Sequence, residues 1–213
     1  MSAFSDQLLQ GAEILGVELT DQSVEHLCIY QDLLVRWAPK VNLVSDWSPQ
    51  VTVGVHFLDS IALSRILPNG EAPYTDIGTG AGFPGLVQGI LTPHRKVTLV
   101  EPITKRASFL QQVIVQAKLT NCTIENERST ALPPLPGHIV GARAVLPPDS
   151  WVQEGARLIG DKGWVVLMTA NPPEPSTRKA AADAGLTLMK EDSFQLPWAH
   201  VPRTNTLFQR TEP

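Results

Sequence analysis

Cysteine is almost absent from this chain. Only Cys28 and Cys122 occur in 213 residues, far apart and outside any C-x-x-C or Cys/His cluster. Disulfides, zinc and thiol redox chemistry are therefore without support, and both thiols read as small buried apolar groups. No metal is implied. The chain also lacks any run approaching the ~18 apolar residues of a membrane span. Its first residues, MSAFSDQLLQGAEI, hold neither a basic segment nor an apolar core of the kind that opens a secretory leader. The expectation is a cytoplasmic, monomeric protein that does not engage membranes. Basic charge is not in excess either. A net charge of −4 argues against a generic nucleic-acid clamp. The balance is uneven, however. Residues 1–70 carry 3 basic and 8 acidic side chains, and residues 71–213 carry 14 and 13. A local basic patch is compatible with that distribution, and a wholly basic face is not.

What is present is ample apolar material, 43% of the residues, enough to bury one core. The 3.6-residue period predicts helices over 3–15 and 21–37, the second opening at a Thr20/Asp21 cap. A third helix is expected from Ser48-Pro49 through VTVGVHFLDSIALSRIL, stopping at Pro68-Asn69-Gly70. From Tyr74 the texture alternates. Strands are expected near 74–77, 96–100, 122–125, 138–141, 163–168, 187–192 and 205–210, with helices near 82–91, 104–118, 149–159 and 176–184. Such alternation predicts an α/β fold with a mainly parallel seven-stranded sheet, helices on both faces, and a helical cap over 1–70 preceding a main domain over 71–213.

Residues 74–85, YTDIGTGAGFPG, decide which ligand that sheet holds. Gly80, Gly82 and Gly85 fit the dinucleotide spacing G-x-G-x-x-G, whereas Asp76, Gly78, Gly80 and Gly82 spell D-x-G-x-G-x-G. The loop follows the first strand, where parallel sheets bind ligands. Glu101 ends the next strand 19 residues after Gly82, and a carboxylate there can accept both ribose hydroxyls. Asp76 breaks the tie. Its charge opposes a pyrophosphate but attracts an ammonium or sulfonium, which points to S-adenosyl-L-methionine. Pro84 suits a helix start, leaving Gly85 to helix packing. A dinucleotide-dependent oxidoreductase, a small-molecule or protein methyltransferase, and a non-catalytic cofactor-binding module remain the rival readings.

The methyl acceptor is narrowed by elimination. Cytosine C5 methylation needs a cysteine nucleophile, and neither cysteine is in a loop that reaches the site. Asn171-Pro172-Pro173 is followed by Glu174 and comes after the fifth strand, so it reads as a turn and not as an amine-methylating loop. After the fourth strand, HIVGARAV puts Arg143 at the ligand edge, where it can orient a base or the cofactor carboxylate. Guanine N7, an unprotonated lone pair, needs such positioning more than it needs a base.

KVNLV (40–44), HFLDS (56–60), DIGTGAGFPG (76–85), VTLVEPITKRASFL (97–110), Arg128 and ARA (142–144) occur in order. Together they resemble the RsmG family, also called glucose-inhibited division protein B, over most of residues 35–145. The resemblance implies a class I, Rossmann-like methyltransferase fold. It also implies methyl transfer to a guanine N7 in 16S ribosomal RNA near the decoding centre, with the RNA or the small ribosomal subunit as partner. Carried over by motif, Gly78, Phe83, Ser129, Thr130 and Arg143 are the implied cofactor contacts. His56 is placed facing the site as a catalytic candidate beside Arg143, and Lys105 and Arg106 are placed against RNA phosphate. The sequence departs from the family at Val55, where arginine is usual, at Thr130, where an acidic residue is usual, and at Thr169-Ala170, where Lys-Gly is usual.

Overall fold

The computed structural model describes residues 3–44, 46–48 and 51–210. Pro49, part of the expected start of the third helix, lies outside the described residues. Two helices come first, α1 (Ala3–Ile14) and α2 (Asp21–Trp37). The Thr20 hydroxyl accepts the Ser23 amide at 3.1 Å, so the expected cap is formed. The third helix differs from its expectation. Thr52–Phe57 is π-helical and runs into a short α3, Leu58–Leu63. The Leu58 amide donates to the Val53 carbonyl, five residues back. A π turn is a register change that apolar periodicity does not encode, and such turns recur at functional sites.

The sheet follows as β1 (Tyr74–Ile77), α4 (Gly85–Leu91), β2 (Val97–Val100), α5 (Thr104–Gln116), β3 (Cys122–Glu125), β4 (Ile139–Ala142), α6 (Pro148–Ile159), β5 (Gly163–Thr169), α7 (Pro175–Asp183), β6 (Thr187–Gln195) and β7 (Pro202–Arg210). Its order is β3-β2-β1-β4-β5-β7-β6. The first five strands pair in parallel, and β7 inserts antiparallel between β5 and β6. Because β2 and β3 extend to one side of β1 and β4 to the other, the chain reverses direction at the β1/β4 boundary. That boundary opens a crevice at the carboxyl edge.

Alternation along the strands builds two apolar layers. Tyr74, Leu99 and Val166 join α1, α2, α3 and α4 in one cluster, whereas Ile77, Val100, Val140 and Val165 join Trp151 and Val152 of α6 in the other. The N-terminal helices thus share a core with the sheet, through Leu8, Leu27, Leu34 and Phe57. Among the described residues no helix is long and apolar enough to cross a membrane, and no His/Cys/Asp/Glu group could hold a metal ion.

Candidate active site

The glycine loop leaves β1 with Gly78, Gly80 and Gly82 at φ values of 62°, 61° and 101°. Side-chain-bearing residues rarely adopt that left-handed region. A Cβ on Gly82 would fall 2.4 Å from Leu86 and 2.8 Å from the Tyr30 hydroxyl, and one on Gly78 would fall 2.8 Å from Val145. Gly80 differs from both. A Cβ there would enter nearly open space, its nearest neighbour being the Gly78 carbonyl oxygen at 3.9 Å. The backbone at Gly80 is therefore uncovered on the side where a side chain would stand. Gly85 packs α4 onto the sheet, since a Cβ would lie 2.4 Å from Leu99 and 2.7 Å from Asp76. The helix starts at Gly85, three residues later than expected, because Gly82–Pro84 form the turn.

Two carboxylates fix this loop. Glu101, buried at the end of β2, accepts the Gly80 amide at 3.0 Å through Oε2 and the Ile103 amide at 2.9 Å through Oε1. Asp76 accepts the Thr79 hydroxyl and the Gly85 amide through Oδ2. Through Oδ2, Asp76 thus holds the glycine loop itself. It is fully buried, burial pushes its carboxyl up to about 6, and Oδ1 has no hydrogen-bond partner. From behind, α2 buttresses the loop, the Tyr30 hydroxyl donating to the Ala81 carbonyl.

Arg143, carried past the end of β4, meets the π turn and the glycine loop together. Its guanidinium carbon stands 5.3 Å from the Phe83 ring centroid, Nη2 lies 3.3 Å from His56 Nδ1, and Nη1 lies 3.3 Å from Asp59 Oδ2. Arginine only donates, so His56 Nδ1 is the acceptor and the ring proton belongs on Nε2. Phe83 is buried and stacks on both Tyr30 and His56 at 5.1 and 5.2 Å. Burial, then the charges of Arg143 and Arg203, hold the His56 imidazole down to about 4. Burial also raises the Asp59 carboxyl, against the pull of the two arginines.

These groups open onto a cleft of about 580 Å³ at the ends of β4 and β5, lined by His56, Asp59, Arg143, Val145, Thr169 and Arg203 among others. Val55 and Ala170 line it as well. The candidates Arg143, His56 and Phe83 are thus brought together, and Gly78 adjoins them through Val145. Ser129 and Thr130 stand apart, on a short 3-10 turn after β3, Ser129 half-buried and Thr130 exposed. Arg106 donates to the Asn42 carbonyl at 3.0 Å, tying α5 to the KVNLV stretch, and Lys105 is exposed beside it. Asn171-Pro172-Pro173 is a loop, its Asn171 carbonyl accepting the Thr169 hydroxyl at 2.7 Å. Two groups escaped the sequence reading. Asp59 lay unremarked inside HFLDS, and Arg203 carries no motif at all.

The family described as rRNA small subunit methyltransferase G, GidB, matches residues 23–199. The chain belongs to that family. Relatives carrying the name ribosomal RNA small subunit methyltransferase G include one from Pseudomonas putida, 31% identical over 97% of this chain and 95% of its own. Another, from Anaeromyxobacter dehalogenans, is 30% identical over 98% of this chain and 99% of its own. The fold is shared with more distant solved methyltransferases. The N-methyltransferase NodS from Bradyrhizobium japonicum, bound to S-adenosyl-l-homocysteine, aligns with a TM-score of 0.60 at 14% identity, covering 86% of this chain and 99% of that one. Magnesium protoporphyrin IX methyltransferase from Synechocystis aligns at 0.59 and 15% identity over 90% and 100%. The rRNA small subunit methyltransferase G family uses S-adenosylmethionine, and this member is an rRNA methyltransferase of the class I fold.

Proposed function

We propose that this chain transfers a methyl group from S-adenosylmethionine to N7 of a guanine in 16S ribosomal RNA near the decoding centre. The observation that carries the reading is the junction at Arg143, which touches the glycine loop through Phe83 and the cleft through His56 and Asp59. Asp76, Gly78, Gly80, Gly82 and Glu101 would hold the cofactor, together with Ser129 and Thr130. The open cradle at Gly80 fits that ligand. When bound, S-adenosylmethionine supplies an electrophilic methyl group on sulfonium sulfur.

The rest falls to the protein's own groups. Guanine N7 carries a lone pair and no proton, so the site must orient the base and exclude water without removing a proton. Arg143 suits a carbonyl such as O6, because its guanidinium stands over the Phe83 ring, is tied to His56 and Asp59, and offers further donors in a planar fork. His56 is neutral at pH 7 and offers a donor at Nε2 instead of a charge. Incubation of small-subunit RNA with the protein and radiolabelled S-adenosylmethionine tests the reading. Label is expected in the RNA, and label confined to a small molecule or a protein would contradict it.

A further inference from the structure

The cleft holds a second cation. Arg203 stands near the start of β7, four residues beyond the stretch matched by the family, and lines the same cavity as Arg143. Its Nε lies 3.5 Å from Asp59 Oδ1, while Arg143 Nη1 lies 3.3 Å from Asp59 Oδ2. One buried carboxylate therefore separates two guanidiniums, whose side chains are 20% and 21% exposed. The strand that delivers Arg203 is hydrogen-bonded on both sides, to β5 and β6, and Arg203 Nη1 donates to the Pro202 carbonyl at 2.9 Å. Strand pairing thus fixes the backbone that carries the guanidinium.

Charge decides what such a cleft accepts. Arg143 and Arg203 bring two positive charges and Asp59 one negative, while His56 stays neutral near pH 7. The other lining residues, Val55 and Thr169 among them, are uncharged. The described wall thus carries one net positive charge in a chain of net −4. Arg143 is engaged with Phe83, His56 and Asp59, whereas Arg203 meets Asp59 only through Nε at 3.5 Å and Pro202 through Nη1, which leaves its Nη2 to donate to an anion in the cleft. Phosphate is the anion of an RNA substrate, and a charge-assisted hydrogen bond from guanidinium suits it.

We propose that Arg203 is a substrate-binding residue that contacts a phosphate of the acceptor RNA beside the target nucleotide. Asp59 is the positioning residue that holds Arg143 toward the base and Arg203 toward the backbone. The proposal rests on the rRNA reading above. Steady-state methylation of small-subunit RNA by the full-length protein tests it, together with cofactor affinity from calorimetry. Arg203→Gln is expected to raise KM for RNA about tenfold and to lower the salt slope of RNA binding by about 1. Cofactor affinity is expected to hold. Arg203→Lys, which keeps the charge, is expected to keep the salt slope. Asp59→Asn is expected to raise KM for RNA in the wild-type background but to add little to KM on top of Arg203→Gln, while its effect on turnover through Arg143 persists in both backgrounds. Unchanged KM and salt slope in Arg203→Gln, with wild-type transfer intact, would overturn the assignment of Arg203. Additive effects of the two changes on KM for RNA would overturn the role given to Asp59. Wild-type protein that transfers no methyl group to this RNA would instead defeat the functional reading, and the phosphate contact with it.

Discussion

Arg143 lies over the ring of Phe83, 5.3 Å from its centroid, and so couples the loop after β1 to the loop after β4. A guanidinium held this way is oriented by the face of the ring and by two hydrogen-bonding neighbours, not by charge alone. Arg143→Ala is expected to lower turnover on the order of a hundredfold through loss of positioning. The melting temperature should move little. Arg143→Lys is not expected to restore the rate, because an ammonium neither stacks nor forks. Single-turnover kinetics read both variants, and a lysine variant at wild-type rate would reduce Arg143 to a point charge.

Gly80 and Gly85 should separate binding from stability. Gly80→Val places a branched side chain in the open cradle, and loss of S-adenosylmethionine binding by calorimetry is expected. Retained affinity would make the loop structural only. Gly85→Ala instead drives a methyl group into Leu99 and Asp76, and overpacking of this kind costs about 1–3 kcal/mol. Denaturant melts should show a loss for both, since a φ of 61° strains a branched residue at position 80, but only Gly80→Val should abolish cofactor binding.

Two buried groups give opposite pH signatures. Burial pushes Asp76 up to about 6, so the folded state favours its protonated form, and the associated stability is lost as pH rises from the ordinary carboxylate range through 6. Asp76→Asn does not titrate. Its melting temperature relative to wild type should therefore become more favourable between pH 5 and pH 7.5. His56 is held down to about 4, so its contribution is lost as pH falls from 6.5 toward 4. His56→Gln should soften that acid loss. Thermal melts across pH 4–8 check both signs, and parallel curves for wild type and variants would contradict them.

The strands and most helices were legible because period and turn chemistry agree there. YTDI, VTLV and GWVVLMT are apolar and β-branched, and each is bounded by Gly, Pro or polar residues. The positions of the glycine loop and of Glu101 at the strand ends were legible for a similar reason, since they depend on local spacing along one strand-loop-helix unit, whereas the amides of Gly80 and Ile103 that Glu101 accepts depend on the folded loop. The π turn at Thr52–Phe57 was not, because it differs from α-helix only in which carbonyl each amide meets. Asp76 was placed at the right end of the right strand, but rotation of its carboxylate toward Thr79 and Gly85 depends on the folded loop. Asp59 and Arg203 meet across 144 residues of sequence, and no periodicity reports a pairing at that distance.

The most direct measurement exploits the product. Methylation at N7 fixes a positive charge on guanine, so that nucleotide becomes prone to base loss and strand scission after borohydride and aniline. The chemical step should vary little between pH 6 and 8, because N7 has no proton to lose and His56 is already neutral there. Small-subunit RNA incubated with this protein and S-adenosylmethionine is expected to break at a single guanine after that treatment, while RNA incubated without the cofactor stays whole. Methyl label entering the RNA without scission, or with a rate that climbs steeply toward alkaline pH, would contradict the guanine-N7 assignment.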